Sequence, residues 1–273
     1  MDLTDIFELA SNSDVGRRRD HNEDSSAIDA GLGQLAIADG MGGYRAGEVA
    51  SAIAIATMVK HIRQRLPLLQ PQQIDPDSGF SMESILARNA IREANYEVFR
   101  SAGEYTQFEG MGTTAVLMLF YDNHFTVAHV GDSRLYRFRS GQLEKITSDH
   151  SLIQELVDRG LYTQEQAEEK TPKNLVTRAL GINETVSVDI SEDTVLPKDL
   201  FLLCTDGLSD MVDDTEIHLT LEKFSDNLNR VAQELIDLAN LRGGRDNISV
   251  VLARPTTTFP ATSGWFDKLF GTT

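Results

Sequence analysis

Acidic residues stand at the edges of apolar, strand-like stretches at five places in the sequence. Asp39 follows residues 34–38 and Asp206 follows LFLLCT, and a glycine comes directly after each acid. The other acids of this set are Glu23, Asp24, Asp132 and Asp246. One such site alone is compatible with a plain turn, since Asp-Gly is frequent in hairpins and turn aspartates cap their own backbone. The recurrence of the pattern favours a shared role.

Divalent cations give these acids a chemical reason to lie together. Carboxylates gathered in one cleft repel each other and become protonated unless a cation neutralises them. All the candidate ligands are oxygen atoms, which suit Mg²⁺ or Mn²⁺. Zinc fits poorly, because the six histidines are scattered without an H-E-x-x-H pair and there is one cysteine. Glycine beside an acid lets the backbone approach and offers its carbonyl as a further ligand.

Arginine near such a cluster suits a phosphate, which a guanidinium grips through two parallel hydrogen bonds. Arg19 ends the run RRR shortly before Asp24. A solvent-facing basic loop is the alternative, and it is the preferred interpretation for Arg17 and Arg18. Other phosphate chemistries lack their motifs, since the chain has no G-x-x-x-x-G-K-[ST] loop and no G-x-S-x-G turn. A cysteine phosphatase is disfavoured because Cys204 lies inside an apolar stretch.

Composition limits the classes of function. The chain has 273 residues, 41% of them hydrophobic and 25% charged, with a formal net charge of −17. This charge argues against non-specific nucleic-acid binding, which depends on lysine and arginine. The surplus acid is either a solvated surface or, in part, a set of metal ligands. The single cysteine, the acidic start MDLTDIFELA and the lack of a long apolar run predict a cytoplasmic protein without a membrane span.

Apolar periodicity predicts the elements that must position these residues. We predict strands at 8–11, 34–38, 113–121, 124–130, 134–139, 186–190, 200–205 and 247–253. Helices are predicted at 46–66, at 81–102 with Ser81 as N-cap, at 215–222 and at 227–241. Residues 67–79 form a loop, and residues 147–185 form a polar excursion with two short helical pieces. This order lacks regular βαβ alternation and favours an α+β fold, an antiparallel sandwich covered by helices.

The chain after residue 254 differs in composition from the rest. It is rich in threonine and then reads SGWFDKLFGTT, with Trp265, Phe266, Leu269 and Phe270 at helical spacing. We predict a flexible tail over 255–273 with a short amphipathic end. That end either docks on the body, contacts a partner or packs loosely.

Eight segments together resemble one known family. They are SDVGRRRDHNEDS (13–25), IADGMGGYRAGEVAS (37–51), GMGTTAV (110–116), HVGDSRLYRF (129–138), ITSDHSLIQELVDRG (146–160), NLVTRALG (174–181), LLCTDGLSD (202–210) and GGRDNISVVL (243–252). In type and order they resemble the metal-dependent Ser/Thr protein phosphatases (PPM, type 2C), particularly the compact bacterial members. The resemblance implies a four-layer α/β/β/α sandwich of two antiparallel sheets flanked by helices. It also implies a catalytic domain over 1–254 with a mobile flap at about 147–190.

The resemblance implies roles for the acids that hold two core ions, Mn²⁺ or Mg²⁺. Asp39 would bridge the two ions, with the Gly40 carbonyl on one of them. Asp206 and Asp246 would ligate the other ion. Asp39 and Asp206 would therefore count among the catalytic residues.

Further residues receive roles from the same resemblance. Glu23 would hold metal-bound water, and Asp24 would support the cluster. Asp132 with Asp206 would form a weaker third metal site. Arg19 would bind the phosphate of the substrate. His150, in SDHS, would assist there, or would only pack within the flap.

The implied reaction is hydrolysis of phosphoserine and phosphothreonine in proteins by metal-activated water, opposing a bacterial Ser/Thr kinase. The protein is expected to act as a monomer. One alternative is a catalytically weak relative that binds phosphoproteins as a regulatory module. Another is a metal hydrolase acting on nucleotides or small phosphate esters. Two departures from bacterial relatives, Tyr44 after DGMGG and Lys170 in the flap, bear on substrate preference and on any general acid.

Overall fold

The computed structural model describes residues 3–43, 45–70, 73–172 and 175–259. Its strands are β1 (Phe7–Asp14), β2 (Asp24–Asp29), β3 (Gln34–Met41), β4 (Gly112–Thr113), β5 (Ala115–Tyr121), β6 (His124–Val130), β7 (Arg134–Arg139), β8 (Gln142–Lys145), β9 (Asp189–Thr194), β10 (Leu200–Cys204) and β11 (Ile248–Pro255). Its helices are α1 (Ala46–Arg65), α2 (Met82–Glu104), α3 (Leu152–Asp158), α4 (Gln164–Lys170), α5 (Asp206–Ser209), α6 (Asp214–Phe224) and α7 (Leu228–Leu241).

The strands form two antiparallel sheets that stack face to face. One sheet has the order β2-β3-β5-β6-β9, with β4 paired to β3, and the other has the order β1-β11-β10-β7-β8. Helices α1 and α2 pack on the first sheet, and α6 and α7 pack on the second. The predicted α+β class and the four-layer α/β/β/α sandwich are therefore confirmed.

Three apolar layers hold the sandwich together. Between the sheets lie side chains from both inner faces, such as Ile37 and Val116 against Phe201 and Leu203. The alternate residues of the same strands face outward into the two helix layers. The apolar runs that predicted strands are thus buried on both faces, which explains why they show little polar alternation.

Small residues bring α1 close to its sheet. Ala46, Ala50 and Ala54 are fully or almost fully buried against the sheet. Ser81 caps α2 as predicted, since its hydroxyl accepts a hydrogen bond from the Ser84 N–H at 3.1 Å. Both long helices therefore begin where the sequence placed them, and the start of α1 lies beside the Asp39–Gly40 segment.

Several predicted strands needed correction. The strand predicted at 34–38 continues to Met41, because Gly40 and Met41 pair with β4. The strand predicted at 186–190 lies at Asp189–Thr194, where it pairs with β6 along the sheet edge. Strands β2 and β8, which are short and polar, were not predicted from the sequence. Edge strands need only one hydrogen-bonded neighbour, so their sequences carry weak apolar alternation.

The excursion contains α3 and α4, the two short helices that were predicted. Lys170, one of the unusual flap residues, ends α4 with its ammonium 4.9 Å from the Tyr162 ring centroid. At the other end of the chain, β11 extends to Pro255 and Phe259 is buried. Tyr44 and the helical-spacing residues of the tail lie outside the described residues. No helix in the described ranges is long and apolar enough to span a membrane.

Candidate metal centre

The ends of strands from both sheets bring five of the predicted acids together. Asp24 and Asp39 are direct partners across β2 and β3. Asp132 lies in the β6–β7 turn, Asp206 lies two residues after the end of β10, and Asp246 lies two residues before the start of β11. We call Asp24, Asp39, Asp132, Asp206 and Asp246 the carboxylate cluster. Antiparallel strands alternate in direction, so turns on the same side of the sandwich gather residues that are far apart in sequence.

Two threonines fix the backbone of Asp39. The Asp39 N–H donates to Thr114 Oγ1 at 2.9 Å, and the Thr114 N–H donates back to the Asp39 carbonyl at 2.9 Å. The Thr113 hydroxyl donates to the same carbonyl at 2.7 Å. Thr114 Oγ1 also lies 2.7 Å from the Ser133 hydroxyl, beside Asp132. The TT pair of GMGTTAV therefore links the strand of Asp39 to the turn of Asp132.

Burial and mutual repulsion dominate the electrostatics of the cluster. Burial raises the pKa of Asp39 well above its usual range, and the charges of Asp24 and Asp206 raise it further. Burial likewise raises the pKa of Asp206, with Asp132 as the largest charge contribution. Buried carboxylates that repel one another in this way need a proton or a cation between them.

Asp24 and Asp132 show the same behaviour. Burial raises the pKa of Asp24 to about 6, and burial together with the charge of Asp149 raises the pKa of Asp132 to about 6. Asp24 Oδ2 accepts a hydrogen bond from the Thr205 hydroxyl at 2.9 Å. Asp24 Oδ1 and Asp206 Oδ1 are buried without a hydrogen-bond partner among the described residues. Unpartnered buried oxygens in an all-oxygen donor set fit Mg²⁺ or Mn²⁺.

Glu23 and Gly40 meet at the start of α1. The Gly40 N–H donates to the Glu23 carbonyl at 3.2 Å, and that carbonyl also accepts the Ser51 hydroxyl at 2.6 Å. A Cβ on Gly40 would lie 2.1 Å from the Gly47 carbonyl oxygen. Glycine is therefore required at both positions by close backbone packing, and Gly47 was not singled out from the sequence.

Arg19 and Asp246 lie on two loops that meet at one side of the cluster: the β1–β2 loop and the loop before β11. Arg19 Nη2 donates to Asp246 Oδ2 at 2.6 Å. Asn247 fixes both segments, since its amide donates to the carbonyls of Val15 and His21 at 3.0 Å and accepts the Glu23 N–H at 2.8 Å. Arg19 is half exposed, so its guanidinium can reach a bound anion at the surface.

Two further acids near the cluster, Asp210 and Asp149, were not predicted as site residues from the sequence. The charge of Asp210 contributes to the raised pKa of both Asp206 and Asp132. Its spacing of four residues from Asp206 is the signal that could have identified it. Asp149 acts on Asp132, and its carboxylate accepts Arg134 Nη2 at 2.6 Å. Both acids line a cavity of about 500 Å³ between the flap and the cluster.

A second group of ionisable residues lies at the base of the flap, and we call His129, His150, Arg178 and Asp189 the flap-base cluster. Possible metal-ligating atoms of the two histidines and Asp189 lie within 4.8 Å of one another. Arg178 Nη1 nevertheless donates to Asp189 Oδ1 at 2.6 Å and lies 3.1 Å from His150 Nε2. The cluster thus contains its own cation.

His150 is held through both ring nitrogens, one by Asp189 of this cluster and the other by the backbone of Gly131. The Gly131 N–H donates to His150 Nδ1 at 3.0 Å, so the proton of the neutral ring is on Nε2, 3.3 Å from Asp189 Oδ2. Burial, His129 and Arg178 lower the pKa of His150 to about 4. The ring is 6% exposed and stacks on His129 with centroids 4.7 Å apart. A role of His150 in substrate binding stays a prediction, and the observed contacts fix the turn before Asp132.

A two-sheet sandwich with helices on both outer faces and a crowded site of carboxylate oxygens suits a metal-dependent hydrolase. The model of the family described as protein phosphatase 2C matches residues 16–241. The chain therefore belongs to the protein phosphatase 2C family, as the resemblance implied.

Individual relatives agree with this assignment. Serine/threonine phosphatase stp of Listeria monocytogenes is 36% identical over 243 residues, which are 88% of this chain and 92% of the relative. Serine/threonine protein phosphatase PstP of Mycobacterium tuberculosis is 38% identical over 92% of this chain and 45% of PstP. A crystal structure of the M. tuberculosis phosphatase superposes with a TM-score of 0.80 at 36% identity, covering 92% of this chain and 99% of that one. The PstP catalytic domain in complex with two manganese ions gives a TM-score of 0.78 at 36% identity, covering 92% of this chain and 99% of that one.

Proposed function

We propose that the carboxylate cluster is the catalytic metal centre of this chain, which is a metal-dependent protein serine/threonine phosphatase. The observation that carries the proposal is the concentration of buried acids. Apart from Asp246, the members of the cluster form no ion pair with a described residue, and two of their buried carboxylate oxygens lack hydrogen-bond partners among the described residues. Divalent ions bound there supply positive charge that activates a water molecule and stabilises charge on the phosphoryl group. The substrates are phosphoserine and phosphothreonine side chains of proteins.

The proposed ligands divide between two core positions and a weaker third position. Asp39 would be the shared ligand of the two core positions, which is supported by the charges of both Asp24 and Asp206 acting on it. The Gly40 carbonyl serves one of them, while Asp206 and Asp246 serve the other. Glu23 and Asp24 complete the centre, with Asp24 oriented by the Thr205 hydroxyl. Asp132 and Asp206 hold the third, weaker ion.

Arg19 is proposed to bind the phosphate of the substrate. Its hydrogen bond to Asp246 keeps the guanidinium beside the cluster, and half of the side chain is exposed to the cleft. A guanidinium so placed orients the phosphoryl group and stabilises charge that develops on its oxygens. Arg19→Ala should raise KM or lower kcat/KM for a phosphopeptide while metal binding, measured by calorimetry, survives.

Phosphate release from a phosphothreonine peptide, with Mn²⁺, Mg²⁺ or EDTA, tests the function directly. Activity that needs Mn²⁺ or Mg²⁺ and disappears with EDTA supports the proposal. Absence of any metal-dependent activity would favour a phosphoprotein-binding module, although the full set of acids in this chain argues against that alternative. Hydrolysis of nucleotides but not of the peptide would favour a small-molecule hydrolase.

The finer features of the proposal concern cellular context. We propose that the protein acts as a monomer in the cytoplasm, where it opposes a Ser/Thr kinase. The single buried cysteine, Cys204, suits a reducing compartment. We also propose that residues 1–254 form the catalytic domain, with a flap at about 147–190, and that residues 255–273 form a tail used in recruitment. Deletion of residues 260–273 tests the role of the tail, because it leaves the buried Phe259 in place.

A further inference from the structure

A second cavity lies beside the carboxylate cluster, on the face that carries Arg19. Its volume is about 500 Å³. It is lined by Arg19, Asp206, Gly207, Asp210, Met211, Arg245 and Asp246. The cavity under the flap has neither Arg19 nor Arg245 in its lining. The cations that line that cavity, Arg134, Lys145 and Arg242, are each paired with an acid, so the two walls of the proposed metal centre differ in the cations that they offer.

The loops that carry the two arginines are locked to each other. The Arg17 N–H donates to the Gly244 carbonyl at 2.7 Å, and Asn247 joins the same two loops through the bonds described above. A Cβ on Gly16 would lie 2.2 Å from the Asp246 carbonyl oxygen, so the loops are in direct contact. The distance between Arg19 and Arg245 is consequently set by the fold, which is how a preorganised subsite is built.

The two arginines differ in what they already bind. Arg19 is paired with Asp246. Arg245 is exposed and forms no ion pair with any described residue. A guanidinium recognises carboxylates and phosphates through two parallel hydrogen bonds. In a chain of net charge −17, which repels anions at long range, an unpaired cation at the mouth of the cleft gives local selectivity.

We infer that Arg245 binds an anionic side chain, a carboxylate or a second phosphate, that flanks the phosphorylated residue in the protein substrate. The inference rests on the proposed function, because it assumes that the phosphorylated side chain enters the neighbouring metal centre. Arg245 then acts as a specificity determinant: it selects substrates whose phosphorylated residue has an acidic or a second phosphorylated neighbour.

Steady-state kinetics on a matched peptide series test this inference. Each peptide carries one phosphothreonine, with Gln, Glu, Lys or phosphoserine moved through the three positions on either side. Loss of the phosphothreonine itself is followed by mass spectrometry, because a neighbouring phosphoserine is also a substrate. The wild-type enzyme should show a kcat/KM about two- to fivefold higher for Glu or phosphoserine than for Gln at one or more positions. Arg245→Gln should abolish that ratio, and Arg245→Glu should invert it in favour of Lys. Arg18→Gln is the matched control, since Arg18 lies on the neighbouring loop outside the cavity lining and loses the same charge.

The effect of Arg245→Gln relative to Arg18→Gln decides the outcome. A preference shared by Glu and phosphoserine, or restricted to one of them, supports the inference if Arg245→Gln removes it and Arg18→Gln does not. Equal rates on all peptides, or equal effects of the two substitutions, overturn it. Wild-type activity on p-nitrophenyl phosphate with Mn²⁺ reports the proposed function independently. Absence of that activity contradicts the proposed function. If the activity is present but kcat/KM is equal for all peptides, only the role of Arg245 is overturned.

Discussion

The carboxylate cluster and the flap-base cluster are built from residue types that bind metals, but they balance charge differently. In the carboxylate cluster the acids face one another, and burial raises the pKa of four of them. In the flap-base cluster burial alone would raise the pKa of Asp189, but hydrogen bonds from Arg178 and the charge of His150 lower it. In the carboxylate cluster only Asp246 has a cationic partner among the described residues, so the other four acids need an external cation, whereas the flap-base cluster contains its own. Charge balance, more than residue type, distinguishes a functional site from a structural contact.

The largest expected contrast is in catalysis. Asp39→Ala or Asp206→Ala should lower kcat by on the order of 10³-fold or more, because either change removes a proposed shared ligand of the metal centre. Asp189→Ala, in the flap-base cluster, should retain most of the Mn²⁺-dependent phosphate release. Near-normal turnover by Asp39→Ala would contradict the assignment of the site.

A second contrast lies in how Mn²⁺ changes thermal stability. Mn²⁺ at 100 times its dissociation constant should stabilise the wild-type protein by about 2.7 kcal/mol per site, measured by calorimetry. Asp39→Asn should raise the Tm in EDTA, since it removes repulsion among buried carboxylates, and should blunt the response to Mn²⁺. Asp189→Asn should lower the Tm with or without Mn²⁺. A lower Tm for Asp39→Asn in EDTA would contradict the conclusion that the buried carboxylates of the cluster repel one another.

The two clusters should also respond to pH with opposite signs. Folding raises the pKa of Asp24 and Asp132 to about 6, so in EDTA the stability that they contribute is present below pH 4 and is lost as the pH rises through 6. Folding lowers the pKa of His150 to about 4, so its contribution is present above pH 6.5 and is lost as the pH falls toward 4. Urea unfolding between pH 4.5 and 7.5 checks both signs. Asp132→Asn should weaken the loss at high pH, and His150→Gln should weaken the loss at low pH.

The smallest expected effect comes from His150 itself. His150→Ala should cost about 1–3 kcal/mol of unfolding free energy, because the buried Gly131 N–H loses its acceptor. His124→Ala, at an exposed histidine at the opposite end of β6, should change the unfolding free energy by less than about 0.5 kcal/mol. Chemical denaturation measures both values. A drop in kcat for His150→Ala as large as that for Asp39→Ala would instead indicate a direct role in catalysis.

The sequence predicted the ligand-bearing ends of the strands better than it predicted the sheet edges. Asp39, Asp206 and Asp246 were identified because glycine neighbours and long apolar strands mark them, and those strands are buried on both faces. The edge strand β9 was misplaced because Val186 and Val188 are apolar without pairing to β6, while the polar run from Asp189 does pair. Side-chain packing decides such cases only after the fold exists.

Contacts between distant segments were beyond the reach of pattern reasoning. Asp210 and Asp149 raise pKa values within the cluster only because their loops lie close to it in the fold. The same holds for the pairing of Arg178 with Asp189, which turns a metal-like group of residues into a structural one. Tyr44 and the aromatic residues of the tail lie outside the described residues, so those predictions stay open to experiment.

The place of β11 in its sheet has a consequence for the timing of activity in the cell. β11 pairs with β1 on one side, from Phe7↔Pro255 to Asp14↔Ile248, and with β10 on the other. The second sheet therefore cannot close until nearly all of this sequence has left the ribosome, and closing so long a loop makes a slow, late folding step. Asp246 and Asn247 arrive with the same strand. An unfinished chain thus lacks both an interior strand of this sheet and a proposed metal ligand, so we expect dephosphorylation to begin only after synthesis of this domain is complete.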